Sequence, residues 1–155
     1  MPEKLFDLAE KEHILVGFFD LSWNILGVYY SVEPDMPVIL LHKKIMHQRR
    51  LLRCIFAEEL GHHFTTGFDL MAFARTDKKY IAMKYEKMAV FWAVEYLMPL
   101  DKLIEVVNSG LFLTHEIAEF FDITERFAGT GIKLYFEKRK NYILKHLNYL
   151  PEEME

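Results

Sequence analysis

Apolar positions fall at helical spacing from Lys4 to Lys11, where Leu5, Leu8 and Ala9 share one side, and this predicts a short first helix. From Gly27 the period changes. Val28-Tyr29-Tyr30-Ser31-Val32 is rich in β-formers, and Glu33-Pro34-Asp35-Met36-Pro37 has the chemistry of a turn. Val38-Ile39-Leu40-Leu41 then resumes an extended apolar run. Two strands about a proline-rich turn predict an antiparallel hairpin, with Pro37 at a strand start or edge because it has no N–H for a ladder. After His47 the pattern is helical with brief breaks. It predicts helices at about His47–Phe64, Ile81–Leu97, Asp101–Asn108, Thr114–Phe121 and Thr124–Arg139, and a last one up to Leu150. Thr65-Thr66-Gly67, Met98-Pro99, Asn108-Ser109-Gly110 and Asp122 supply the stops. Thr114 and Thr124 are expected N-caps, since a hydroxyl there can accept a bond from an early helical N–H. The expected class is α+β, helix-dominated, with a small antiparallel hairpin or sheet.

Composition narrows the class of protein. The chain has 155 residues, 52% hydrophobic and 27% charged, enough apolar surface for one core and too much for disorder. One domain over residues 1–155 is expected: a first helix and hairpin at 1–46, two long helices at 47–99, and a helical tail at 100–155. A net charge of −4 gives no electrostatic footprint for nucleic acid. Cys54 is the single cysteine, which excludes an internal disulfide framework and a four-cysteine zinc site. No apolar run approaches the about 20 residues of a membrane span, and the acidic N-terminal stretch does not read as a signal peptide. A cytoplasmic location is the expectation.

The segment with candidate chemistry is Phe56-Ala57-Glu58-Glu59-Leu60-Gly61-His62-His63. Residues four apart lie on one helix face, so Glu58 and His62 can converge on one point. Carboxylate oxygen and imidazole nitrogen are both zinc ligands. Glu59, next in sequence, falls where a water-activating carboxylate belongs, so the pattern is H-E-x-x-H with Glu for the first His. Glu59 and His63 are also four apart, but that register would put Leu60 in the position of the base. Leu51, Ile55, Glu58 and His62 continue one stripe, which predicts that the pair faces the core. A third ligand should come from the second long helix. Glu86 is the candidate, on a stripe of Ala82, Glu86, Ala89, Ala93 and Leu97 whose small side chains, with Gly61, allow close helix approach.

These segments, with Ala89-Val90-Phe91-Trp92-Ala93-Val94-Glu95-Tyr96-Leu97-Met98-Pro99, resemble the ImmA/IrrE family of metallo-endopeptidases. Thr114 to Glu125 is similar to the helical tail of that family, and the resemblance covers about Gly27 to Tyr135. It implies a zincin-like two-helix metal site beside the sheet, with Glu58, His62 and Glu86 as metal ligands and Glu59 as general base. It also implies zinc as cofactor and a protein substrate, such as a transcriptional repressor of a phage or mobile element. The departure is Glu58, where the family usually has histidine.

Two other classes stay open on the sequence. A metal-free, degenerate member would act as an interaction protein. Thr114 to Phe136 also has the outline of a helix-turn-helix, but the mixed charge of its second helix suits phosphates poorly, so DNA binding is not expected. His63 reads as a surface or supporting residue, Cys54 as a small core residue, and the basic Lys43–Arg53 stretch as a solvated face.

Overall fold

Strand pairing fixes the first part of the structure. The computed structural model describes residues 2–31, 36–65 and 78–148, with side chains throughout except at 78–81. It divides into two compact units, Met1–Ala93 and Val94–Glu155. In the first, α1 (Glu3–Lys11) buries Leu5 and Ala9. His13, at φ 56°, then turns the chain into β1 (Leu15–Phe19). The expected hairpin is present as β2 (Gly27–Ser31) and β3 (Pro37–His42), antiparallel, with Val28 opposite Leu40 and Tyr30 opposite Val38. Pro37 opens β3, where its missing N–H breaks no interior rung. Val32 and most of the predicted turn lie outside the described residues.

β1 extends the expected hairpin into a mixed sheet of order β1-β3-β2, pairing parallel with β3 from Leu15–Val38 to Phe19–His42. Its sequence, Leu-Val-Gly-Phe-Phe, has no polar alternation, which is why the pattern does not announce it. β3 thus has a partner on each side. Its Pro37, Ile39 and Leu41 are buried and alternate with half-buried Val38, Leu40 and His42.

A short 3-10 turn (Lys43–Ile45) leads to α2 (Arg49–Thr65), the first long helix. The deep side of α2 carries Leu52, Phe56 and Leu60 with Cys54, Ala57 and Gly61. The Leu51–Ile55–Glu58–His62 stripe is only half-buried, a correction to its expected core-facing place. The reason is the demand for close approach. Gly61 must face the Ala89 backbone, which rotates the Glu58/His62 face toward the rim.

The second long helix, α3 (Lys78–Leu97), begins before the expected Ile81. A Cβ added at Gly61 would overlap the Ala89 carbonyl, so here α2 and α3 touch backbone to backbone. Ala89 is fully buried there. Phe64 stacks on Trp92 nearby, ring centroids 4.8 Å apart.

The second unit holds the end of α3 with α4 (Leu100–Asn108), α5 (Thr114–Phe121) and α6 (Glu125–His146). Gly131 of α6 packs against Val94 and Met98, and the Tyr135 hydroxyl donates to the Met98 carbonyl at 2.8 Å. Thr124 caps α6 as expected, its Oγ1 accepting from the Phe127 N–H at 3.2 Å. Thr114 is not a cap. Leu113 precedes the helix instead, and its N–H donates to the Glu116 carboxylate at 3.1 Å. Asp122, at φ 55°, closes α5. The two last predicted helices form one element whose helical backbone breaks at Arg139 (φ −133°), where the sequence predicted a boundary. That element ends at His146, and the stretch to Leu150 expected beyond it lies partly outside the described residues.

Candidate metal centre

The residues proposed for chemistry all belong to the first unit. His62 rises from α2 and Glu86 from α3, and the close approach at Gly61 brings them together: His62 Nε2 lies 3.2 Å from Glu86 Oε2. His62 is largely sheltered, whereas the Glu86 side chain is 63% exposed. Glu58, one turn before His62, is half-buried on the same helix face.

Glu59 points to a different neighbour, the sheet. An added Cβ at Gly27 would sit 2.6 Å from Glu59 Oε1, so the first residue of β2 leaves open the space this carboxyl fills. The Tyr29 backbone N–H of the same strand donates to it. The Glu59 pKa is raised from 4.5 to about 7, chiefly by partial burial, with the Tyr29 hydrogen bond opposing the rise and the negative charges of Glu58 and Glu86 adding to it. A carboxyl held there can both accept and return a proton near neutral pH.

His63 supports this arrangement from the far side. Its Nδ1 lies 3.2 Å from the Tyr29 hydroxyl, with the imidazole tautomer setting which group donates, and the two rings meet edge-on. Burial lowers the His63 pKa. Sequence reasoning missed Gly27 and Tyr29. A glycine opening a β-rich run was a visible signal, but nothing local said that a carboxylate would come to lie against it.

The donor chemistry suits zinc. Two ligands on one tetrahedral ion with bonds of about 2.0–2.1 Å stand roughly 3.3–3.4 Å apart, close to the His62–Glu86 separation. Glu58 does not complete the pair as placed: among the described residues no group of three or more His, Cys, Asp or Glu is gathered to hold a metal ion. The fit is therefore two donors of three.

The model of the IrrE N-terminal-like peptidase domain matches residues 9–133, which include both long helices, the sheet and most of the tail. The chain belongs to that family. As an IrrE-type domain it has a metallopeptidase-like architecture, and Glu58, Glu59, His62 and Glu86 all lie inside the matched span. Comparison with curated proteins and with solved structures returned no match. Among the described residues no helix of this IrrE-type domain is long and apolar enough to cross a membrane.

Proposed function

We propose that the chain is a metal-dependent endopeptidase acting on a protein substrate, a transcriptional repressor or another regulatory protein of a mobile element, in the cytoplasm. Residues 1–155 would act as one functional domain. The observation that carries this reading is Glu59: a half-buried carboxyl against β2, with a pKa of about 7, one turn from the facing His62–Glu86 pair. Glu58, His62 and Glu86 would hold zinc, which when bound supplies polarisation of the scissile carbonyl and a more acidic water. Glu59 takes the proton from the attacking water and returns it to the leaving amine, and a pKa near the working pH serves both directions. The Tyr29 N–H and the opening at Gly27 keep its carboxyl on the sheet side of α2.

The test separates base from ligand. Glu59→Gln should abolish cleavage of a repressor substrate while metal content stays near wild type. Glu58→Ala, His62→Ala and Glu86→Ala should each lower zinc measured by elemental analysis. Equal loss of metal in Glu59→Gln would show that Glu59 itself coordinates and sink the assignment. A second reading, a metal-free interaction protein, draws on the gathering of two donors rather than three. Wild-type protein that takes up no stoichiometric metal on reconstitution would favour it and sink the ligand assignment.

A further inference from the structure

Glu59 and His63 are four apart on α2, so they share one face of the helix. That face meets the sheet, and both side chains end on a single residue of β2. The strand pairing explains why. The His42 N–H donates to the Leu26 carbonyl, which makes Leu26–His42 a hydrogen-bonded pair. Such pairs alternate along an antiparallel ladder, so Val28–Leu40 is the next one and Tyr29–Ile39 exchanges no bond. β2 lies at the edge of the sheet, and its Tyr29 N–H therefore points to the open side. Ile39 is fully buried, and the Tyr29 ring shares that inner face.

The Tyr29 edge N–H donates to Glu59, and the hydroxyl at the far end of the same residue lies 3.2 Å from His63 Nδ1. One face of α2 thus grips Tyr29 at both ends. Ser31 also hydrogen-bonds the Tyr29 hydroxyl, but it belongs to β2 itself and ties nothing to the helix. β2 is paired on one side only, so its place depends on what grips it from α2. A carboxylate can bond an N–H through one oxygen while the other takes a proton. The stance of Glu59 is then set by the stance of the strand.

We propose that the Tyr29–His63 contact is a latch that fixes β2 on α2 and so sets where the Glu59 carboxyl stands. His63 is thereby a positioning residue for the base. Its catalytic consequence rests on Glu59 being that base, whereas the latch itself does not. The Glu59/His63 spacing gains a use other than metal binding: the two side chains hold a strand.

The test reads the Tyr29 amide by hydrogen exchange in the full-length, nitrogen-15-labelled protein. His63→Leu should speed exchange at Tyr29 by about fivefold or more, while Val28, bonded within the sheet to Leu40, keeps its rate. Tyr29→Phe should have the same effect, and the double variant should add nothing to Tyr29→Phe alone, since both remove one bond. His63→Asn, whose Oδ1 stands where Nδ1 did, should restore slow exchange. Should His63→Leu fail to fold, Tyr29→Phe carries the same comparison. Rates at Tyr29 and Val28 that rise together would show general loosening and overturn the proposal, as would a Tyr29 rate unmoved in either variant. Hydrolysis of fluorescein-labelled casein, with zinc content read alongside, tests the consequence. His63→Leu should lower kcat with KM and zinc unchanged, and His63→Asn should recover it. Faster Tyr29 exchange with kcat intact would overturn the positioning role. A wild type that hydrolyses nothing counts against Glu59 as base, and the exchange rates still decide the latch.

Discussion

Glu59 ties the candidate chemistry to the stability of the fold. Its pKa is about 7 in the folded chain against an ordinary 4.5. An acid raised on folding holds its proton more tightly in the native state, so stability falls as pH rises from about 4.5 to about 7 and is level on either side. The shift corresponds to about 3 kcal/mol. Glu59→Gln cannot ionise and escapes this loss. In chelator-treated protein its stability relative to wild type should therefore grow by up to about 3 kcal/mol between pH 4.5 and pH 8, read by urea unfolding. A difference independent of pH would contradict the buried carboxyl. Gly61 supports a second expectation. Its missing Cβ is replaced in space by the Ala89 carbonyl, and backbone cannot swing aside as a side chain can. Gly61→Ala should destabilise by at least about 1–3 kcal/mol, checked by thermal melting, despite the better helix propensity of alanine. The close approach at Gly61 was legible because a glycine inside a helix opposite an alanine stripe has few other uses. The lift on Glu59 was not, because it depends on β2 being folded over α2.

At the scale of elements, periodicity gave the helices and the hairpin, and its errors have physical causes. β1 escapes the pattern because its sequence is apolar throughout, which removes the alternation that marks a strand. The Leu51–Ile55–Glu58–His62 stripe lies shallower than its apolar pattern predicts, because the backbone contact at Gly61 takes the deep side of α2. Thr114 is not the cap because the helix begins one residue earlier than the pattern predicts: Leu113 has the extended backbone of the capping position, and Thr114 is already the first helical residue. In the tail, Phe121 and Phe127 stand on either side of the Asp122 turn and are 8% and 4% exposed. Each truncation to Ala should lower unfolding free energy by about 3–5 kcal/mol in denaturant melts, as for a large ring removed from a packed core. Melting unchanged in both would mean that the α5–α6 pair is not held by these rings.

For the whole chain, membership in the IrrE-type family and the meeting of His62 with Glu86 follow from residues already conspicuous in the sequence, whereas the place of Glu58 relative to that pair does not. A pattern of spacing fixes which face a side chain occupies, but not which rotamer its carboxylate adopts. One feature also makes the protein its own clock. Cys54 is its only thiol, and 2% of that residue is exposed on the deep side of α2. A thiol reagent can reach it only when the surrounding core opens, so in excess reagent the modification trace should be a single exponential, far slower than for the unfolded chain. The urea dependence of that rate measures how much surface each opening exposes, which separates a local loosening of α2 from unfolding of the unit around it. Gly61→Ala should speed the clock, and reagent uptake as fast as in the unfolded chain would show that α2 does not close over its sulfur.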